Sequence, residues 1–143
     1  MRHKISFFIL ASWFSMTCLL DFLVVPMVFR NIHNFFEAGK LGIKLFSNFN
    51  YIELVFSLVL LASLINRGSW KKYTLAIILL GFSLFYLLYL TPNIVAWAAS
   101  WEAHKPSSSF HHQLYRNLET FKIVILGAFT YLINKKSPKG SDI

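Results

Sequence analysis

The chain has 143 residues and a formal net charge of +8, and 56% of its residues are apolar while only 14% are charged. Soluble domains average roughly 45–50% apolar and about 25% charged residues, and a domain of this length leaves too much surface in water to hide such an excess. The composition therefore excludes a soluble globular domain and an intrinsically disordered chain. It predicts one integral membrane domain over residues 1–143.

Four stretches approach the roughly 20 mostly apolar residues that a helix needs to cross a bilayer. They cover residues 5–29, 47–65, 73–91 and 114–133. The first begins with basic residues, as a signal peptide does, but its apolar run is longer than the usual ~7–15 residues and no small-residue cleavage site follows. We therefore predict an all-α integral membrane four-helix bundle with the first span retained. No internal repeat stands out.

The basic residues of the short loops predict the orientation of the spans. If the N-terminus is inside, the cytoplasmic ends hold more basic residues, namely Arg2, Lys4, Arg67, Lys71, Lys72, Lys135, Lys136 and Lys139. The outer ends then hold fewer, namely Arg30, Lys40, Lys44, Lys105 and Arg116. This bias predicts two cytoplasmic termini and a bacterial inner membrane location. The scattered basic residues do not indicate a nucleic-acid partner.

The connection between the first two spans has a helical pattern of its own. Polar residues recur at helical spacing over residues 31–46, namely His33, Glu37, Lys40 and Lys44. This pattern predicts an amphipathic interfacial helix, with a continuous extension of the second span as the alternative. Pro26 and Pro92 predict kinks near the outer ends of the first and third spans.

Charged residues inside the predicted spans lie at similar depths. At about 1.5 Å per residue, Asp21 lies about 12 Å below the outer end of the first span and Glu53 about 9 Å below that of the second. Glu119 and Lys122 lie about 8 and 12 Å below the outer end of the fourth. We therefore predict a charged layer in the outer half of the membrane. The candidate ligand- or ion-binding residues are Asp21, Glu53, Asn93, His112, Arg116, Glu119 and Lys122.

Two interpretations of this layer stay open. In one, the layer lines a polar pocket that opens outward and binds an ion, a proton or a small polar ligand. In the other, the acids neutralise Arg116 and Lys122 and fix the register of the helices, because a lone charge at that depth costs a few kcal/mol. The predicted spans contain three acidic residues and one or two basic residues. An acidic residue without a basic partner would therefore carry a proton.

Neither the histidines nor a search for known catalytic motifs indicates a specific activity. His111 and His112 are adjacent and so point about 100° apart on a helix, unlike the i, i+4 pair that chelates a metal on one face. His111 and His112 are the candidate metal ligands. The sequence predicts no cofactor, and a metal ion or a haem group is the alternative. No nucleotide-binding loop, zincin motif or serine elbow is present, so no catalytic residue is assigned.

Several short motifs resemble a known family. These are Pro26-Met27-Val28-Phe29-Arg30, Ala38-Gly39, Leu45-Phe46, Thr91-Pro92-Asn93-Ile94 and Phe110-His111-His112. They resemble a family of small uncharacterised bacterial four-helix membrane proteins that is grouped with the copper-resistance protein D superfamily. The resemblance implies a four-helix membrane bundle without an established activity. Asp21 and the charged series from Arg116 to Lys122 depart from that family's pattern.

The leading functional prediction is a non-enzymatic multi-pass membrane protein that acts as an accessory or small-ligand-binding protein. One alternative is copper-type ion or metal transport or resistance, using Asp21, Glu53, Glu119 and His112. A second alternative is a membrane redox enzyme that holds haem or quinone. The predicted partners are the lipid bilayer and either a membrane protein or a second copy of the chain.

Overall fold

The computed structural model describes residues 2–65, 70–100 and 110–134, and these residues form four helical rods. The first rod joins α1 (Arg2–Leu19), a π-helical turn (Leu20–Val24) and α2 (Val25–Asn31), and the second is α3 (Phe35–Leu64). The third joins α4 (Trp70–Phe85), a second π-helical turn (Tyr86–Leu90) and α5 (Thr91–Ala99). The fourth is α6 (Phe110–Asn134). The predicted all-α fold is confirmed.

Three of the rods have the length and apolar composition of membrane spans. Within the described part of the chain these are Lys4–Asn31, Phe35–Leu64 and Trp70–Ala99. The distribution of side chains is that of a protein whose solvent is lipid, because Phe8 and Leu88 are each 72% exposed while Glu53 and Lys122 are 0% exposed. The first half of α6 carries Arg116, Glu119 and Lys122, and this helix is less apolar than the other three.

The second rod is longer than predicted at its N-terminal end. Its 30 residues form one helix, about 45 Å long at 1.5 Å per residue, against a hydrocarbon core of about 30 Å. Asn34 caps its start by accepting a hydrogen bond from the backbone N–H of Phe36 at 3.0 Å. The prediction of a separate interfacial helix was wrong and the continuous alternative is confirmed, since no proline interrupts residues 35–64.

A π-helical turn precedes each of the two prolines within the first and third rods. The backbone N–H of Val25 bonds to the carbonyl of Leu20, five residues back. Proline has no N–H and its ring clashes with the carbonyl four residues back, so a wide turn just before it relieves the clash while the rod continues. Thr91 and Tyr86 form the equivalent bond before Pro92.

The first and third rods follow the same plan. The number of residues from the first π turn to the second equals the number from Pro26 to Pro92. One turn before each π turn, a buried hydroxyl bonds to the carbonyl four residues back, from Thr17 to Trp13 at 3.0 Å and from Ser83 to Leu79 at 3.1 Å. The two rods therefore share features of backbone geometry and burial, although the sequence shows no internal repeat of residue identity.

The rods pack so that a polar layer separates two apolar cores. α1 packs against α3 and α6, and α4 packs against α3 and α6. One core is built around Trp13, Leu60 and Leu126 and the other around Tyr86 and Ile94. On α6 the buried residues Glu119 and Lys122 lie between these cores, and Glu53 of α3 meets them there.

The glycines of the third and fourth rods test this packing. A Cβ added at Gly127 would meet the Phe14 ring at 3.4 Å, whereas one at Gly81 would meet nothing within 4 Å. We expect Gly127→Leu to destabilise the contact between α1 and α6 by about 1–3 kcal/mol through overpacking. Gly81→Leu is the matched control and should have a smaller effect. Thermal unfolding in mild detergent measures both, and equal losses would contradict the packing.

Candidate functional site

Three charged side chains meet in the interior. The Lys122 Nζ lies 2.5 Å from Glu53 Oε1 and 2.7 Å from Glu119 Oε1. The side chains of Lys122 and Glu53 are fully buried, and that of Glu119 is 7% exposed. We call Glu53, Glu119 and Lys122 the buried cluster. It joins α3 to α6 with one ammonium shared by two carboxylates.

Two aromatic residues from the first and third rods complete the surroundings of the cluster. The indole N–H of Trp13 donates a hydrogen bond to Glu53 Oε1 at 2.9 Å, the same oxygen that Lys122 contacts. The Tyr86 ring centroid lies 4.8 Å from Lys122 Nζ, close enough for a cation–π interaction. All four rods therefore contribute a side chain at this level.

A second polar group lies next to the buried cluster. Asn50 donates a hydrogen bond from its amide to Thr91 Oγ1 at 2.7 Å. The Tyr115 hydroxyl donates one to Asn50 Oδ1 at 3.3 Å. Asn50 is three residues before Glu53 and Tyr115 four before Glu119, so both continue the same helix faces. The polar layer therefore extends by one helical turn toward Pro92.

Several buried polar atoms of the cluster lack hydrogen-bond partners. Among the residues that the structure describes, these atoms are Glu53 Oε2, both carboxylate oxygens of Glu119 and the Tyr86 hydroxyl. Glu119 Oε1 has the ion pair with Lys122 but no well-aligned hydrogen bond. Buried polar atoms are rarely left unpaired in proteins, so such atoms call for a physical explanation. Most of these atoms are acceptors.

Asp21 lies beside the cluster without joining it. It sits in the first π turn and is half-buried. Its carboxylate is within electrostatic range of Lys122, Glu53 and Glu119, but no described side chain forms a hydrogen bond with it. The structure therefore places the three predicted acids near one another, with two in direct contact with the lysine and one at the periphery.

The other predicted site residues lie outside the cluster. Asn93 donates a hydrogen bond to the Tyr89 carbonyl of its own rod at 2.6 Å. Arg116 is exposed, because the buried face of α6 runs through Tyr115, Glu119 and Lys122 instead. Among the described residues, neither Asn93 nor Arg116 forms a hydrogen bond or an ion pair with the acids of the cluster, and a role for them in binding stays a prediction.

The two adjacent histidines contact different aromatic rings. His112, which precedes the fourth predicted span, stacks on Trp97 with centroids 5.6 Å apart. Desolvation and the neighbouring Arg116 guanidinium lower the pKa of His112 below its ordinary value, so its ring is neutral at neutral pH. His111 lies against Tyr89 at 5.8 Å. Among the described residues, no three His, Cys, Asp or Glu side chains are grouped to hold a metal ion.

The buried cluster is closed rather than open. The sequence interpretation of a pocket facing outward therefore differs from what the structure shows, since both glutamates are almost fully buried. A groove of about 450 Å³ lies between the third and fourth rods, and its walls are apolar side chains such as Ile78, Phe85 and Leu118. A ligand of the cluster must therefore be very small or must enter when the rods move.

The comparisons with known proteins identify a family. A domain of unknown function, DUF4149, matches residues 8–101. The chain belongs to the DUF4149 family. No curated protein and no solved structure matches it. The prediction of an uncharacterised family is confirmed, but nothing links DUF4149 to the copper-resistance protein D superfamily. The matched region includes Trp13, Glu53 and Tyr86, whereas Glu119 and Lys122 lie beyond it.

Sequence reasoning missed Trp13, Asn50 and Tyr86 as site residues of this DUF4149 protein. Asn50 had a signal, because an amide three residues before Glu53 on an apolar helix shares the face of that acid. Trp13 lies two helical turns before Asp21, at a spacing that also fits ordinary packing. Tyr86 is brought to Lys122 only by the contact between the third and fourth rods.

Removing the lysine tests the electrostatics of the cluster. We expect Lys122→Met to destabilise the protein by about 3 kcal/mol at neutral pH, because it leaves two acids buried without a base. The loss should shrink as the pH falls, since protonation neutralises the acids. Thermal unfolding in mild detergent across pH measures this effect.

The charge-free triple variant is the control for that measurement. Lys122→Met combined with Glu53→Gln and Glu119→Gln has a cluster without charge, so its stability should recover toward that of the wild type. A pH-independent loss in Lys122→Met, or no recovery in the triple variant, would show that packing rather than charge dominates here.

Proposed function

We propose that this DUF4149 protein is a non-enzymatic, multi-pass membrane protein that binds a small cation at the buried cluster. The observation that carries the proposal is the excess of buried acceptors, since two carboxylates share one ammonium and three of their oxygens lack hydrogen bonds. Such a site favours a positively charged ligand or a hydrogen-bond donor. Metal ions and the proton both meet this description.

The chemistry of the lysine supports a binding role over a catalytic one. A lysine acts as a nucleophile only as a neutral amine. Lys122 lies between two carboxylates and above an aromatic ring, and all three contacts favour its charged form. It therefore serves as a fixed charge that organises the acids, and the same contacts hold the helices in register, as an accessory subunit requires.

Transport of the bound ion is the second candidate. Membrane transporters with internal repeats hold their substrates at the interface between the repeats. Here the first and third rods follow one plan, and each places a π-helical turn close to the buried cluster. The copper-type variant of this idea has less support, because His112 stacks on Trp97 rather than contacting the acids.

Thermal shifts test cation binding. A ligand that binds only the folded protein stabilises it by about 2.7 kcal/mol at a concentration of 100 times its Kd. We expect the unfolding temperature of the purified protein to rise with proton, sodium, potassium, magnesium or copper(I) concentration, and the rise should disappear in Glu53→Gln and Glu119→Gln. An absorption spectrum of the same sample tests the haem alternative.

Glu37→Gln is the matched control for that titration. It removes an acid from an exposed position on the same helix as Glu53, so it should leave the response unchanged. The proposal fails if no cation or pH change separates the wild type from the cluster variants, and a purely structural role for the cluster then remains.

The proposed topology has four spans with both termini in the cytoplasm of a bacterial inner membrane. The Lys/Arg bias supports this orientation, and the pairing of Lys122 with two acids removes much of the cost of placing α6 in lipid. A green fluorescent protein fused to the C-terminus should fluoresce, whereas alkaline phosphatase at the same place should be inactive.

Fusions after Leu64 and after Ser100 calibrate the topology assay, because the proposed topology places them on the inner and outer sides. Active phosphatase at the C-terminus together with inactive phosphatase after Leu64 would show that α6 does not cross. The chain would then have only the three spans that its composition supports.

A further inference from the structure

The charge balance of the buried cluster points to a specific occupant. Two carboxylates and one ammonium leave a net negative charge among side chains that are almost completely buried. Asp21, the half-buried acid beside them, makes the local charge more negative. A net charge in such surroundings is strongly unfavourable, and a buried group usually loses its charge instead. A single added cation would neutralise the cluster.

The geometry argues against a metal ion in this place. The position between the two glutamates is already filled by Lys122 Nζ at 2.5 and 2.7 Å. Hard cations such as magnesium and calcium need six or more oxygen ligands or retained waters. In the part of the chain that the structure describes, no group of three His, Cys, Asp or Glu residues could supply such a set.

The two glutamates differ in a way that identifies the group that takes the charge. Glu53 Oε1 accepts hydrogen bonds from Trp13 and Lys122, so this carboxyl group already has two donors. Glu119 accepts no well-aligned hydrogen bond from any described residue. The Tyr86 hydroxyl lies beside Glu119, also without a well-aligned hydrogen bond. A protonated Glu119 becomes a donor, which suits a neighbouring hydroxyl oxygen.

We infer that the cation held by the cluster is a single proton, carried by the Glu119 carboxyl, while Glu53 keeps its contacts with Lys122 and Trp13. The inference rests on the proposed cation site and names its ligand. The titratable groups that face Glu119 are Lys122 and Tyr115 on its own helix, Glu53 on α3, Asp21 on the first rod and Tyr86 on the third. Two of them, Glu53 and Asp21, are acidic and oppose its ionisation, and Lys122 is the base that favours it.

Infrared spectroscopy of the purified protein tests this inference, because the carbonyl stretch of a protonated carboxylic acid is separate from the carboxylate bands. We expect one such band at neutral pH in the wild type and its loss in Glu119→Gln. Glu53→Gln should also remove it, because Glu119 then ionises to pair with Lys122. Lys122→Met should add a second protonated carboxyl, because neither acid then has a base.

Two further variants assign the band. Tyr86→Phe should shift its frequency by removing the hydrogen-bond partner, and this holds even if Glu119→Gln fails to fold. Glu37→Gln, which changes an exposed acid away from the cluster, should leave the band in place. No protonated carboxyl in the wild type, or a band that survives Glu119→Gln and Glu53→Gln, would overturn the inference.

The thermal titration separates this inference from the proposed function. If a metal ion stabilises the wild type through Glu53 and Glu119 while the infrared band is absent, the cation site stands and the proton assignment is wrong. If neither signal depends on the two glutamates, both the site and its ligand are wrong.

Discussion

The ammonium of Lys122 between Glu53 and Glu119 is the interaction on which the rest of the arrangement depends. A lone lysine within a bilayer is costly, and a shared pair of carboxylates lowers that cost only if α3 and α6 pack in one register. The indole of Trp13 and the ring of Tyr86 then fix the first and third rods against the same group. The cluster thus sets how the helices pack, beyond what apolar contacts specify.

The prolines shape the surroundings of this cluster. Each lies just past a π-helical turn, and the first residue of the second turn is Tyr86, whose ring covers the lysine. The first turn carries Asp21 at the edge of the cluster. Wide turns of this kind are common at functional sites because they re-aim side chains within a continuous helix. The shared plan of the first and third rods places one on each side of the charges.

The buried cluster is closed to solvent and contains more acidic than basic groups. These two properties limit which ligands it can bind. A hydrated ion needs space and several ligands, whereas a proton needs one lone pair. The closed packing around Glu119 therefore favours the smallest cation, while the half-buried Asp21 is the acid of the layer that is most accessible from outside it. A structural role in helix packing is compatible with the proposed proton site, because the contacts around Glu119 also join the helices.

The sequence predicted much of the fold and part of the site. Runs of apolar residues and helix propensity are local properties, so the helical rods and the all-α class followed from the residues alone. The prolines predicted kinks, and the structure shows a π-helical turn before each of Pro26 and Pro92. The constant rise per residue predicted that Glu53, Glu119 and Lys122 lie at one level, and the structure brings these three side chains into contact.

Only the tertiary packing decided which face of each helix is turned toward the interior. It turned Tyr115 and Lys122 inward and left Arg116 exposed, although all three lie on one polar stretch of α6. It also brought Trp13 and Tyr86 to the charges from separate rods. The sequence alone determined which residues the membrane must accommodate, and the contacts between rods decided which of them meet, because helical spacing fixes neighbours within a helix but not partners across helices.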